Sequence, residues 1–99
     1  MQTISIYKNL DITYQEFETA LFQLGYRKVS KKSATHYILD SHDSIISVSH
    51  LNTPDKKMNK GEFAAQSFLM EMKGVLKEKD DIAKMIEQER LSPSHAIAH

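Results

Sequence analysis

Apolar positions along this chain fall into two rhythms. Tyr14, Phe17, Ala20, Leu21 and Leu24 recur at helical spacing and share one face. Thr13 followed by Glu16 is a capping box, in which each side chain satisfies backbone donors of the first turn, and Gly25 is a natural stop. From residue 26 the period changes to two. Residues 26–30 predict a strand, 31–34 its polar turn, 35–40 a second strand closed by Ser41, His42 and Asp43, and 44–51 a third. In the third, Ile46, Val48 and His50 point to one side, while Ile45, Ser47, Ser49 and Leu51 point to the other. Connections this short make the three strands an antiparallel meander.

Helical spacing returns after a loop over residues 52–60 that contains Pro54. Residues 61–76 predict a second helix, with Ala65, Phe68, Leu69, Met72 and Val75 on one stripe and Gly74 weakening its end. A third, shorter helix starts at Asp80 or Asp81, buries Ile82, Met85 and Ile86, and is ended by Ser92-Pro93. Near the start, Ile4-Ser5-Ile6-Tyr7 alternates and would add an edge strand. The order predicts an α+β two-layer sandwich: a three-stranded antiparallel sheet with helices on one face and the other face left for a ligand. Residues 1–91 read as one domain and 92–99 as a disordered tail.

At 99 residues the core is marginal, so a partner or self-association into a homo-oligomer would add stability. The absence of cysteine excludes disulfides, thiolate metal sites and a cysteine nucleophile. No run approaches the roughly 20 apolar residues that cross a bilayer. The first residues carry neither the basic start nor the apolar stretch of a signal peptide, so a cytoplasmic protein without membrane association is expected. Net charge is zero, yet its distribution is uneven. Residues 26–60 carry Arg27, Lys28, Lys31, Lys32, Lys56, Lys57 and Lys60 against Asp40, Asp43 and Asp55, a net of +4, whereas each flank is −2. A positive middle could hold a phosphate backbone on one face; lysines that guard strand edges against aggregation would look the same.

His36 is the foremost candidate for chemistry. Imidazole titrates near neutrality, so it can take a proton from a ribose 2′-hydroxyl, which then attacks the adjacent phosphorus. A strand histidine that merely fills a half-exposed position is the competing reading. His50, at the end of the neighbouring strand, is a candidate second acid or base if register brings it near. His42 reads as a solvated turn residue, and His95 and His99 as tail. Lys31, Lys32, Lys57 and Lys60 are candidate phosphate contacts, the last two reinforcing a helix start at Lys60-Gly61 whose amides could bind an anion; capping by Asn59 is the alternative. The spacing of the histidines matches no metal-site pattern, and no glycine-rich phosphate loop or other cofactor signature is present. Met58, Met70, Met72 and Met85 read as core or partner-surface fillers.

Taken in order, these pieces resemble the HicA family of toxin–antitoxin systems, small mRNA interferases with a fold like the double-stranded RNA-binding domain. The resemblance covers residues 13–76. It rests on Leu24-Gly25-Tyr26 at the exit of the first helix, Thr35-His36-Tyr37, the strand ending in His50, and Lys60-Gly61 at a helix start. It implies a type II toxin that cleaves mRNA with His36 as its catalytic base and is neutralised by a HicB-type antitoxin covering the site. The family's usual Gly-Ser-His-His is here Ser33-Ala34-Thr35-His36. That departure keeps a noncatalytic RNA-binding module open, and the methionine-rich second helix, the acidic third and the zero net charge keep open a protein-interaction domain.

Overall fold

The computed structural model describes residues 11–92. The proposed edge strand at residues 4–7, the tail beyond Ser92, His95 and His99 lie outside them. Within them the chain forms α1 (Tyr14–Gln23), β1 (Arg27–Ser30), β2 (Ala34–Leu39), β3 (Ser44–Ser49), α2 (Lys60–Met72) and α3 (Asp81–Leu91). The strands form one antiparallel sheet in the order β1-β2-β3. This is the expected α+β architecture of three helices and a three-stranded sheet. α3, at eleven residues, is shorter than the thirteen of α2, as expected.

Local chemistry explains the boundaries. The capping box is present in both directions, Thr13 accepting from the Glu16 amide and Glu16 accepting from the Thr13 amide. Gly25, at φ 101, ends α1 in a conformation that costs a glycine little, and the chain turns directly into β1. β2 and β3 are joined through a 3₁₀ turn, Asp40–His42, and Asp43 in the left-handed region, which aspartate tolerates better than most residues. The turn sets the register: Leu39 faces Ser44, Tyr37 faces Ile46, His36 faces Ser47 and Thr35 faces Val48. Thr35, Tyr37, Ser44, Ile46 and Val48 are buried under the helices, while their alternating neighbours face outward.

One apolar cluster holds the molecule together, with Phe17, Leu21, Ile46, Met70 and Ile82 fully enclosed. Phe17 of α1 meets Phe63 of α2 edge-on at 5.9 Å between ring centres. α3 packs along α1 and is fastened there by Arg90, which donates to Glu16 from Nε at 2.5 Å and from Nη2 at 2.7 Å and also to the Asp11 carbonyl. The segment before α2 lies against the start of α1, through a Thr13–Lys57 bridge and bonds from the Tyr14 and Gln15 amides to the Lys56 and Pro54 carbonyls.

Two features of α2 differ from the sequence expectation. It ends at Met72, four residues early, because Gly74 at φ 79 closes it. Its apolar stripe is also turned outward: Phe68, Leu69 and Met72 are 52%, 48% and 66% exposed. The face toward the core is Phe63, Ser67 and Met70, an equally regular helical stripe. The Phe17–Phe63 contact and a 2.5 Å bond from the Tyr14 hydroxyl to Glu62 fix that rotation. The Ser67 hydroxyl enters the core by donating to the Phe63 carbonyl within the same helix.

Candidate functional site

Helices cover one face of the sheet and leave the other open. On the open face β1 contributes Arg27 and Val29, β2 contributes Ala34, His36 and Ile38, and β3 contributes Ile45, Ser47 and Ser49. His36 is half-exposed in the central strand, between Val29 on one side and Ser47 on the other. Its Nδ1 lies 2.6 Å from Ser47 Oγ, while Nε2 has no hydrogen-bond partner among the described residues. When Nδ1–H donates to Ser47, Nε2 presents its lone pair to solvent, the form a general base requires. The reverse polarity would place the proton on Nε2. Sequence reading put His36 on this strand but did not pick out Ser47, whose signal lies in the register alone.

His50 belongs elsewhere. It follows the end of β3 at the helix side of the sheet, where it lines a cleft with Thr35, Tyr37 and Val48. Its Nε2–H donates to the Lys31 carbonyl at 2.7 Å, and its amide donates to the Ser33 carbonyl. His50 therefore braces the β1–β2 hairpin from the side of the sheet opposite His36. The two imidazoles do not form an acid–base pair across one site. The pleat accounts for this, since Ser47, the partner of His36, stands three positions before His50, an odd step that changes face.

The four lysines also divide. Lys31 and Lys32 sit exposed on the β1–β2 hairpin, a few positions from His36, with no ion pair among the described residues. Lys57 and Lys60 converge instead on Asp11, at 3.4 and 3.9 Å. The expected anion site at the start of α2 is filled from within: Asn59 Oδ1 accepts from the Gly61 and Glu62 amides, and Glu62 adds a carboxylate to the same turn. Capping by Asn59 is what that sequence encodes. Elsewhere Arg27 forks onto Asp40 and Lys28 pairs with Glu18, so much of the positive middle is neutralised locally. His42 occupies the 3₁₀ turn beside Ser41, at the other end of the sheet from the lysine hairpin.

A polar trio on the helix side was not anticipated from sequence. Glu18 of α1 accepts from the Tyr37 hydroxyl at 2.5 Å and pairs with Lys28 at 2.8 Å. Burial and the Glu18 carboxylate together hold the Tyr37 phenol well above its usual range. Glu18 stays below the ordinary carboxylate range; its burial acts the other way but is outweighed by the bonds from Lys28 and Tyr37. Tyr14 is pushed up to about 12, by burial first and the bond to Glu62 second. Lys28 faces Tyr37 across the ladder, so register again carries the signal. Among the described residues no group of three or more His, Asp or Glu side chains could hold a metal ion, and no helix is long and apolar enough to cross a membrane. Searches against protein-family models, curated proteins and solved structures returned no match for this chain.

Proposed function

We propose that this chain is a HicA-like endoribonuclease, the toxin of a type II toxin–antitoxin pair, and that the open face of its sheet is where RNA is cut. The observation that carries the reading is the His36–Ser47 pair, which orients an imidazole with a free Nε2 on an uncovered surface. Nε2 takes the proton of a ribose 2′-hydroxyl, the resulting oxygen attacks the adjacent phosphorus, and the 5′-oxygen departs with a proton from solvent. The products are a 2′,3′-cyclic phosphate and a 5′-hydroxyl end. Lys31 and Lys32, on the hairpin next to His36, are the cations best placed to hold the flanking phosphates. Lys57 and Lys60 serve a lesser part in this scheme because Asp11 engages both. A HicB-type antitoxin would neutralise the enzyme in the cytoplasm by covering the open face. The test is cleavage of mixed mRNA in EDTA, wild type beside His36→Ala. Cyclic-phosphate ends from wild type alone support the assignment, and equal cleavage by both proteins sinks it.

A second reading is a noncatalytic RNA-binding or protein-docking module on the same fold. It is favoured by the outward stripe of Phe68, Leu69 and Met72, more apolar surface than one short helix needs to expose. It predicts salt-sensitive RNA binding without products, or a stable homodimer that does not bind RNA at physiological salt.

A further inference from the structure

The cleft beneath the hairpin end of the sheet has a volume of about 240 Å³. Its floor is Thr35, Tyr37 and Val48, its wall Phe17 and Glu18 of α1, and its rim His50. Thr35 is 8% exposed, and its hydroxyl has no partner among the described residues. Native proteins rarely leave a buried hydroxyl unpaired, so this one points to a guest. We propose that the cleft takes one unpaired nucleobase of the RNA and thereby selects the sequence that is bound.

The inference rests on the RNA-directed reading above and extends it to specificity. The charges of the cleft cancel: Lys28 and Glu18 pair at 2.8 Å, and the Tyr37 hydroxyl completes the carboxylate's shell. A phosphate or carboxylate would meet Glu18 and find no uncommitted cation, whereas a neutral ring pays no such penalty. The polar groups that remain can match the edge of a heterocycle. The Thr35 hydroxyl can donate or accept, and His50, with Nε2–H committed to the Lys31 carbonyl, keeps Nδ1 as an acceptor when neutral. The volume falls below the roughly 300 Å³ at which pockets for larger ligands begin, which suits a single base. Aromatic side chains beside edge-reading polar groups are how proteins read unpaired RNA bases, and Tyr14, Phe17 and Tyr37 all line this cleft. Position links the cleft to the cutting face. Thr35 and His36 are successive residues on opposite faces of β2, and His50 fastens the cleft rim to the hairpin that carries Lys31 and Lys32. A single strand crossing that hairpin can rest its phosphates on the lysines, with a base on the helix side and a 2′-hydroxyl at His36.

The test is an amide-shift titration of the full chain by NMR with adenosine, guanosine, cytidine and uridine in turn, and with inorganic phosphate. At least one nucleoside should saturate, moving the amides of Thr35, Val48 and His50. Thr35→Val, which replaces an unpaired hydroxyl with a methyl of similar size, should keep the fold and weaken that binding about tenfold, the loss expected for one hydrogen bond. His50→Ala should weaken it as well. No saturable shift with any nucleoside, shifts confined to the open face, the same shifts with phosphate, or binding untouched in both Thr35→Val and His50→Ala would each overturn the proposal. The outcome is separable from the nuclease reading, since His36-dependent cleavage in EDTA can persist with an empty cleft.

Discussion

His36 of β2 and Ser47 of β3 face each other across the open side of the sheet, Nδ1 to Oγ at 2.6 Å. The ladder positions both groups: His36 sits in the middle strand, which cannot slide without breaking two rows of backbone bonds. On the proposed nuclease reading Ser47 is a positioning residue that acts through the imidazole by favouring the proton on Nδ1.

That role gives a prediction with its own readout. Ser47→Ala should lower kcat for RNA cleavage about fivefold and leave KM within a factor of two, as expected when an orienting bond worth about 1 kcal/mol is lost. The imidazole ¹⁵N shifts of His36 should move toward the Nε2–H tautomer in the same variant. A fall in kcat with unaltered ¹⁵N shifts would assign Ser47 a packing role only.

The clamp between α1 and α3 makes a second prediction. Arg90 holds the Glu16 carboxyl below its ordinary value of 4.5, chiefly through their hydrogen bonds. A carboxylate held low contributes its stability above that ordinary value and loses it as pH falls through the depressed one. Arg90→Ala should therefore cost about 1 kcal/mol at pH 7, the upper range for a well-formed surface pair. The gap between the two proteins should close below pH 4.5. Paired urea denaturations across that range would check it, and a gap constant with pH would deny the linkage to Glu16.

The tyrosines predict the alkaline limb. Tyr14, Tyr26 and Tyr37 all titrate above the usual 10, each chiefly through burial, with Glu62 and Glu18 adding to the shifts of Tyr14 and Tyr37. A raised phenol pKa favours the neutral, folded form, so its contribution is complete below pH 10 and declines as pH rises toward the folded value, about 12 for Tyr14. Stability should fall steeply above pH 10, with phenolate absorbance from these rings appearing together with unfolding. Tyr14→Phe should cost about 2 kcal/mol at pH 7, since it leaves Glu62 without its phenol donor. Ordinary phenolate titration of all three rings in a still-folded protein would contradict this.

What sequence could and could not supply follows from the range of each signal. The capping box at Thr13 and Glu16, the stop at Gly25 and the period-two runs are short-range patterns, and each reappears in the fold. Register is not short-range. Placing Asp40 inside the second strand, as its neighbours suggest, moves the turn by one residue, and a one-residue slip exchanges the faces of a whole strand. The 3₁₀ turn with Asp43 left-handed pairs Leu39 with Ser44, and from that pairing follow Ser47 beside His36, Lys28 beside Tyr37 and the separation of His50 from His36. Lys57 and Lys60 looked free in sequence because Asp11 lies more than forty positions away. The α2 stripe misleads for another reason: two regular apolar stripes exist on that helix, and contacts from α1 choose between them.

That choice yields the last prediction. Met70 is completely enclosed, so Met70→Ala should leave a cavity and cost about 2–5 kcal/mol. Met72, two positions on, is 66% exposed, and Met72→Gln should change stability by no more than about 0.5 kcal/mol. Phe68→Ser should be nearly as mild, because its ring also lies more than half in solvent. The stripe read from periodicity alone would reverse the order, making Phe68 and Met72 the costly positions. Thermal melts of the three variants therefore decide the rotation of α2. If Met72→Gln proves more damaging than Met70→Ala, the Tyr14–Glu62 and Phe17–Phe63 contacts cannot be the ones that orient the helix.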